Sequence, residues 1–216
     1  MGDHQLLNAW LGAEPFAWLA SAGAFAVAIS ATPGPNNTMV AASGASFGFI
    51  RTLPHMAGVI LGFALMVAVI GLGGAGLLQR FPLIHQMLKW IAAAYLLWLA
   101  WRIAVARPTL EAGTTDKAGQ PISFLQAALF QWVNPKAWVA AVSAVSVYTS
   151  VSRPILPQAA ILTALFAAIS IPSVALWTGI GAGAGKLLRT PSGLKAFNIA
   201  MALLLAGSVI SLVSER

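Results

Sequence analysis

The chain has 216 residues, of which 59% are hydrophobic and only 8% charged, with a formal net charge of +7. Soluble domains carry about 25% charged residues, so a water-soluble globule of this composition could not cover its surface with groups that water favours. This excludes a soluble enzyme, a disordered chain and a nucleic-acid module, because the positive balance comes from a shortage of acids and not from a basic face.

The absence of cysteine removes disulfides, thiolate metal sites and cysteine nucleophiles. The class that remains is an all-α polytopic membrane protein in a lipid bilayer. The first residues, up to Pro15, contain Asp3 and Glu14 but no Lys or Arg. They lack the positive start of a signal peptide, and the first apolar segment is expected to stay as a span.

A spanning helix needs about 20 predominantly apolar residues, and six such segments follow in chain order. The first lies in the stretch Pro15 to Ile50, too long for one span and broken near Thr32-Pro33-Gly34-Pro35. The second runs from about Pro54 to Gln79 and the third from about Gln86 to Ala106. The fourth begins near Ser123 and passes an Asn134-Pro135 break towards Ser150. The fifth covers about Pro157 to Gly183 and the sixth about Leu194 to Val213. The loop 107–122 is the one sizeable polar connection, so residues 1–216 form a single membrane domain.

Positive charge sets the orientation. Arg51, Arg102, Arg107, Lys117, Lys186, Arg189 and Lys195 fall on one side, against Arg80, Lys89, Arg153 and Arg216 on the other. The richer side is expected to be cytoplasmic, with both termini periplasmic. The cytoplasmic loop 107–122 then joins two halves, about 15–106 and 123–214, of three spans each. An odd number per half makes them inverted three-helix repeats, the layout in which transporters place substrate between halves. The first helix of each half is interrupted by Pro and Asn: Pro33-Gly34-Pro35-Asn36-Asn37 and Asn134-Pro135-Lys136.

Proline lacks an N–H and clashes with the carbonyl four residues back. Pro33 and Pro35 are therefore expected to free the carbonyls of Ile29 and Ala31, and Pro135 that of Gln131. Such a break survives in hydrocarbon only where protein or a wet cavity satisfies it. Asn36, Asn37 and Thr38 are candidate N-caps of a half-helix that would aim free N–H groups at a cavity. An amino-acid zwitterion matches these two features, its carboxylate at the helix start and its ammonium at the freed carbonyls. The alternative is a plain proline kink with the asparagines bonded between helices.

Lys136 lies 13 residues beyond Ser123, about 20 Å at the rise of an α-helix. A lysine that deep faces a cavity or a partner; the alternative is a bend that lets it snorkel to the interface. Gln126, Gln131, Asn134 and Pro135 are further residues unusual for lipid. All five acids, Asp3, Glu14, Glu111, Asp116 and Glu215, lie in the termini or the central loop. No intramembrane carboxylate is available to relay a proton, which leaves His55 and Lys136 as the candidates for proton coupling. His55 also reads simply as a polar helix-end residue.

These residues carry a resemblance. Thr32-Pro33-Gly34-Pro35-Asn36-Asn37, Gly48-Phe49-Ile50-Arg51 and His55-Met56-Ala57-Gly58 with Leu61-Gly62-Phe63 resemble the N-terminal half of the LysE/RhtB amino-acid exporter family. Ala93 to Trp101 resembles its third span, and Ser123-Phe124 with Phe130 to Ala137 its fourth. The resemblance implies a bacterial inner-membrane exporter of small amino acids or their derivatives, driven by the proton gradient. The nearest branch exports cysteine and O-acetylserine, followed by homoserine and threonine exporters.

The expected substrate-binding set is Pro33, Gly34, Pro35, Asn36, Asn37, Gln131, Asn134, Pro135 and Lys136, with no cofactor and no metal. The competing readings are a passive channel or non-transporting assembly protein, and a membrane enzyme built on a Ser–Lys136 pair. Ser43-Gly44-Ala45-Ser46 finds no histidine at a suitable depth and reads as packing. The pairs Gly58/Gly62, Gly179/Gly183 and Gly181/Gly185 have spacings that suit close helix packing or a homodimer.

Overall fold

The computed structural model describes residues 3–11, 14–74, 82–105, 120–187 and 190–214. Among the described residues there are eight α-helices and no strand. They are α1 (Asp3–Leu11), α2 (Pro15–Ala31), α3 (Pro35–Val69), α4 (Pro82–Val105), α5 (Phe124–Phe130), α6 (Pro135–Tyr148), α7 (Ile155–Leu187) and α8 (Pro191–Ser214). A π-helical turn, Ile70–Gly74, extends α3, and a 3-10 turn, Gln131–Val133, extends α5. Among the described residues two helical stretches are long and apolar enough to cross a membrane, Pro35–Gly73 and Ile155–Lys186, with mean hydropathies of 2.4 and 2.2, or three if the bent pair Gln5–Leu11 and Pro15–Ala31 is one span. The loop 107–119 and the charges on Arg80, Arg107, Lys117, Arg189 and Arg216 lie outside the described residues.

α3 is two arms and not one rod. Gly48 has φ 78°, in the left-handed region, which glycine reaches without the steric cost a Cβ imposes. Across that point the Ser43 hydroxyl lies 3.0 Å from His55 Nδ1. Twelve residues of straight helix would hold these side chains about 18 Å apart, so the chain folds back at Gly48. The second arm begins there and not at Pro54. The Thr52 hydroxyl caps it by donating to the Gly48 carbonyl at 2.8 Å, and Pro54 is absorbed within the helix.

Small residues set how the arms pack. A Cβ on Gly181 or Gly185 would collide with the carbonyls of Ala41 and Ala45. One on Gly58 or Gly62 would collide with the backbone of Phe124 and Ala128. Each pair steps by four residues on both partners, so each contact is between parallel helices. The arm 35–47 runs beside the end of α7, and the arm 49–69 runs beside α5. Without a hydrophobic drive between helices in lipid, this close backbone approach supplies the association. Gly58/Gly62 and Gly181/Gly185 are therefore used inside the bundle, whereas Gly179 and Gly183 meet nothing within 4 Å.

Polarity is distributed opposite to that of a soluble domain. Ile50, Leu61, Leu65, Leu125, Leu129, Leu176 and Leu203 are exposed, while Asn37, His55, Gln131, Asn134 and Gln158 are buried. Apolar cores remain between the helices: Phe166 packs edge-on to Phe63 at 5.6 Å and joins Ala22, Met66, Ala141 and Leu162. A second core joins Leu96 and Leu99 of α4 to Leu205 of α8 through Met39 and Phe130.

Candidate functional site

The two helix breaks lie against one cavity. α2 ends at Ala31, and α3 starts at Pro35 with Gly34 as its extended N-cap. Thr32, Pro33 and Gly34 form the gap. Asn36, Asn37 and Thr38 are not the caps of α3. Proline occupies its first position, where a missing N–H costs nothing, and the asparagine side chains turn backward instead. Asn37 Nδ2 donates to the carbonyls of Ser30 at 2.8 Å and Thr32 at 2.9 Å. The hydroxyl of Thr38 donates within its own turn, to Gly34 and Pro35. The carbonyls that the Asn37 side chain engages are those of Ser30 and Thr32. Ser30 also accepts from the Ser173 hydroxyl at 2.7 Å.

The second break is tighter. Asn134 alone separates the 3-10 turn from α6, and its own Oδ1 accepts from the Lys136 amide at 3.1 Å. Pro135 takes the first helical position. This break satisfies itself, as an Asn-Pro start to a helix does. It also aims the Lys136 side chain across the gap. Lys136 Nζ donates to the Thr32 carbonyl at 2.5 Å and reaches the Pro33 carbonyl at 3.4 Å. A second bridge joins the same regions: Asn36 Nδ2 donates to Gln131 Oε1 at 2.8 Å, and Gln131 Nε2 returns to Asn36 Oδ1 at 3.2 Å. Gln131 spends its remaining N–H on the Ala127 carbonyl.

Of the expected substrate-binding residues, Gly34, Asn36, Asn37, Asn134 and Lys136 line one open cavity with a volume of about 50 Å³. Pro33 contributes its carbonyl to Lys136, Pro35 and Pro135 start helices, and Gln131 stands behind Asn36, fully buried. Gln126 is elsewhere, closing a capping box with Ser123. The chain also brings in residues that the break motifs do not contain: Phe63 from α3, and Ser170 and Ser173 from α7. Their signal in the sequence was Ser170-Ile171-Pro172-Ser173, a proline flanked by hydroxyls inside an apolar helix.

His55 lies one helical turn before Val59, which lines the cavity. It is not a helix-end residue at a mouth. It is fully buried, and Ser43, expected to have no histidine within reach, is its partner. The Gly48 fold-back, which spacing along a straight helix could not foresee, produces the pair. His55 Nε2 has no partner among the described residues.

Residues 27–216 match the model of the LysE type translocator family. The chain is 33% identical over 174 residues to the cysteine/O-acetylserine efflux protein of Escherichia coli (strain K12), covering 81% of this chain and 86% of that protein. The protein of the same name from Shigella flexneri serotype 5b (strain 8401) is similar to the same extent, 33% over 174 residues with the same coverage of both chains. No solved structure matches. With buried amides, an apolar exterior and a family match across most of its length, the chain belongs to the LysE type translocators.

Proposed function

We propose that the protein is an inner-membrane secondary exporter of small amino acids or their derivatives, driven by the proton gradient. The substrate range resembles that of cysteine/O-acetylserine exporters or of homoserine and threonine exporters. The observation that carries this reading is the Lys136 ammonium, which reaches from the second break to the carbonyls of the first within a shared cavity. An ammonium held only by carbonyls is ready for a carboxylate, because a charge-assisted bond to an anion is roughly twice as strong as a neutral one. When a zwitterion enters, its carboxylate takes Lys136, and its own ammonium takes the carbonyls of Thr32 and Pro33 that Lys136 leaves. Substrate binding and breakage of the link between the halves then become one event, which is what alternating access requires.

The reciprocal packing supports a six-span inverted repeat. The first span of each half runs parallel to the second span of the other half, as alternating spans in an inverted pair must. Reporter fusions at Gly113 and Ser192 should report cytoplasm, and a fusion after Arg216 periplasm; a cytoplasmic C-terminus would end the inverted-repeat reading. Proton coupling falls to Lys136 and to the buried Ser43–His55 pair, since no carboxylate lies in a predicted span. Loss of pH-gradient dependence in His55→Gln, with substrate exchange retained, would assign the coupling there; unchanged dependence would remove His55.

The decisive test is counterflow of labelled amino acids in proteoliposomes, with and without an imposed pH gradient. Accumulation of one small amino acid, enhanced by the gradient, is the expected result. Equilibration of many solutes with no gradient effect would favour a passive channel instead.

A further inference from the structure

Hydroxyls inside helices often return to the carbonyl one turn back, and most described threonines of the helices do so, with the buried hydroxyl of Thr163 as an exception. Thr32, Thr38, Thr52, Thr149 and Thr178 donate to Ala28, Gly34, Gly48, Val145 and Val174. Such a bond settles a hydroxyl that has no other use. Ser170 departs from this pattern. It is 6% exposed, lines the cavity, and makes no hydrogen bond to any described residue, the carbonyl of Phe166 one turn back included. Most other polar side chains of the cavity are engaged: Asn36 with Gln131, Asn37 with the break carbonyls, Ser173 with the Ser30 carbonyl, Asn134 with the α6 start and Lys136 with Thr32. The Ser30 hydroxyl also lines it without a described partner, on a residue less buried than Ser170.

We infer that Ser170 is the residue that reads the polar atom of the substrate side chain. This rests on the exporter reading above and assigns the cavity a second subsite, distinct from the one that holds the zwitterion. Lys136 and the break carbonyls take the charged end. Phe63, Val59 and Ala140 offer apolar wall around the methylene stem, and Ser170 is the buried uncommitted hydroxyl among the described lining residues that can meet a hydroxyl, thiol or ester oxygen. The serine hydroxyl both donates and accepts, so one residue serves a hydroxyl, a thiol and an ester. A buried hydroxyl left unpaired by an apolar side chain is penalised, which makes the subsite a filter against aliphatic amino acids of the same size. No acid lines the cavity, so a cationic side chain finds no partner there.

The test is a competition series in proteoliposomes with isosteric pairs: L-serine and L-cysteine against L-2-aminobutyrate, and L-homoserine against L-norvaline. The wild-type chain should prefer the polar member of a pair. Ser170→Ala should cut that preference about 3–10-fold, the worth of one neutral hydrogen bond, while affinity for the apolar member changes less than about twofold. Ser170→Thr, which keeps a hydroxyl, should retain the preference, and this shows that the site still folds. An equal loss for both members of a pair, or an unchanged ratio in Ser170→Ala, would overturn the inference and leave the exporter reading intact. A wild-type chain that takes neither member of any pair would overturn both.

Discussion

The two helix breaks occupy corresponding places in the chain yet carry opposite chemistry. The first is three residues wide and lends out carbonyls: Ser30 and Thr32 are met by side chains from farther along the chain. The second is one residue wide, capped by its own asparagine, and lends out a cation. Width explains the difference. A single extended residue lets an Asn side chain reach the amide two positions on, whereas a longer gap leaves acceptors beyond the reach of its own caps. The cavity thus brings together one acceptor platform and one donor platform.

The largest effect should come from removing the donor. Lys136→Met is expected to insert and fold but to lose gradient-driven export by about 10–100-fold, the worth of a hydrogen bond to a charged group. Lys136→Arg should keep at most weak activity, because a planar guanidinium does not place or release its charge as an ammonium does. Efflux assays normalised to the amount of membrane protein decide this. Export by Lys136→Met at the wild-type rate would break the donor half of the comparison.

Next comes the acceptor side. Asn37→Ala removes two hydrogen bonds at once, to the carbonyls of Ser30 and Thr32, at a cost of about 2 kcal/mol. Thermal unfolding of the purified chain in detergent should register the loss. The smallest effect is expected at the self-capped break. Asn134→Ala loses one cap, worth about 1 kcal/mol, and Asn134→Ser should recover much of it. If Asn134→Ala destabilised the chain more than Asn37→Ala, the first break would not be the more dependent of the two.

Much of the site was legible without coordinates, because the properties that reveal it are local. A proline announces a missing N–H wherever it lies, and Pro33, Pro35 and Pro135 do mark the two breaks. Lys136 stood out because charge is scarce in apolar sequence. The direction of the asparagine bonds was not legible. Asn36 and Asn37 look like caps by position, but Pro35 fills the start of the helix and frees them for other partners. Gln126 looked unusual for lipid because the sequence does not say whether a glutamine is already spent in a capping box.

The sequence by itself determined that this chain is an all-helical membrane protein and where two of its helices break. Charge scarcity and missing amide protons are properties of residues that no fold can change. Tertiary structure decided which groups meet. Lys136 finds the Thr32 carbonyl across 104 residues of chain, and Ser170 enters the same cavity from α7. Ser43 meets His55 because one glycine holds φ 78° and folds the helix back. Such contacts depend on backbone turns and on the close parallel approach that Gly58, Gly62, Gly181 and Gly185 permit, and hydrophobic pattern carries no record of either.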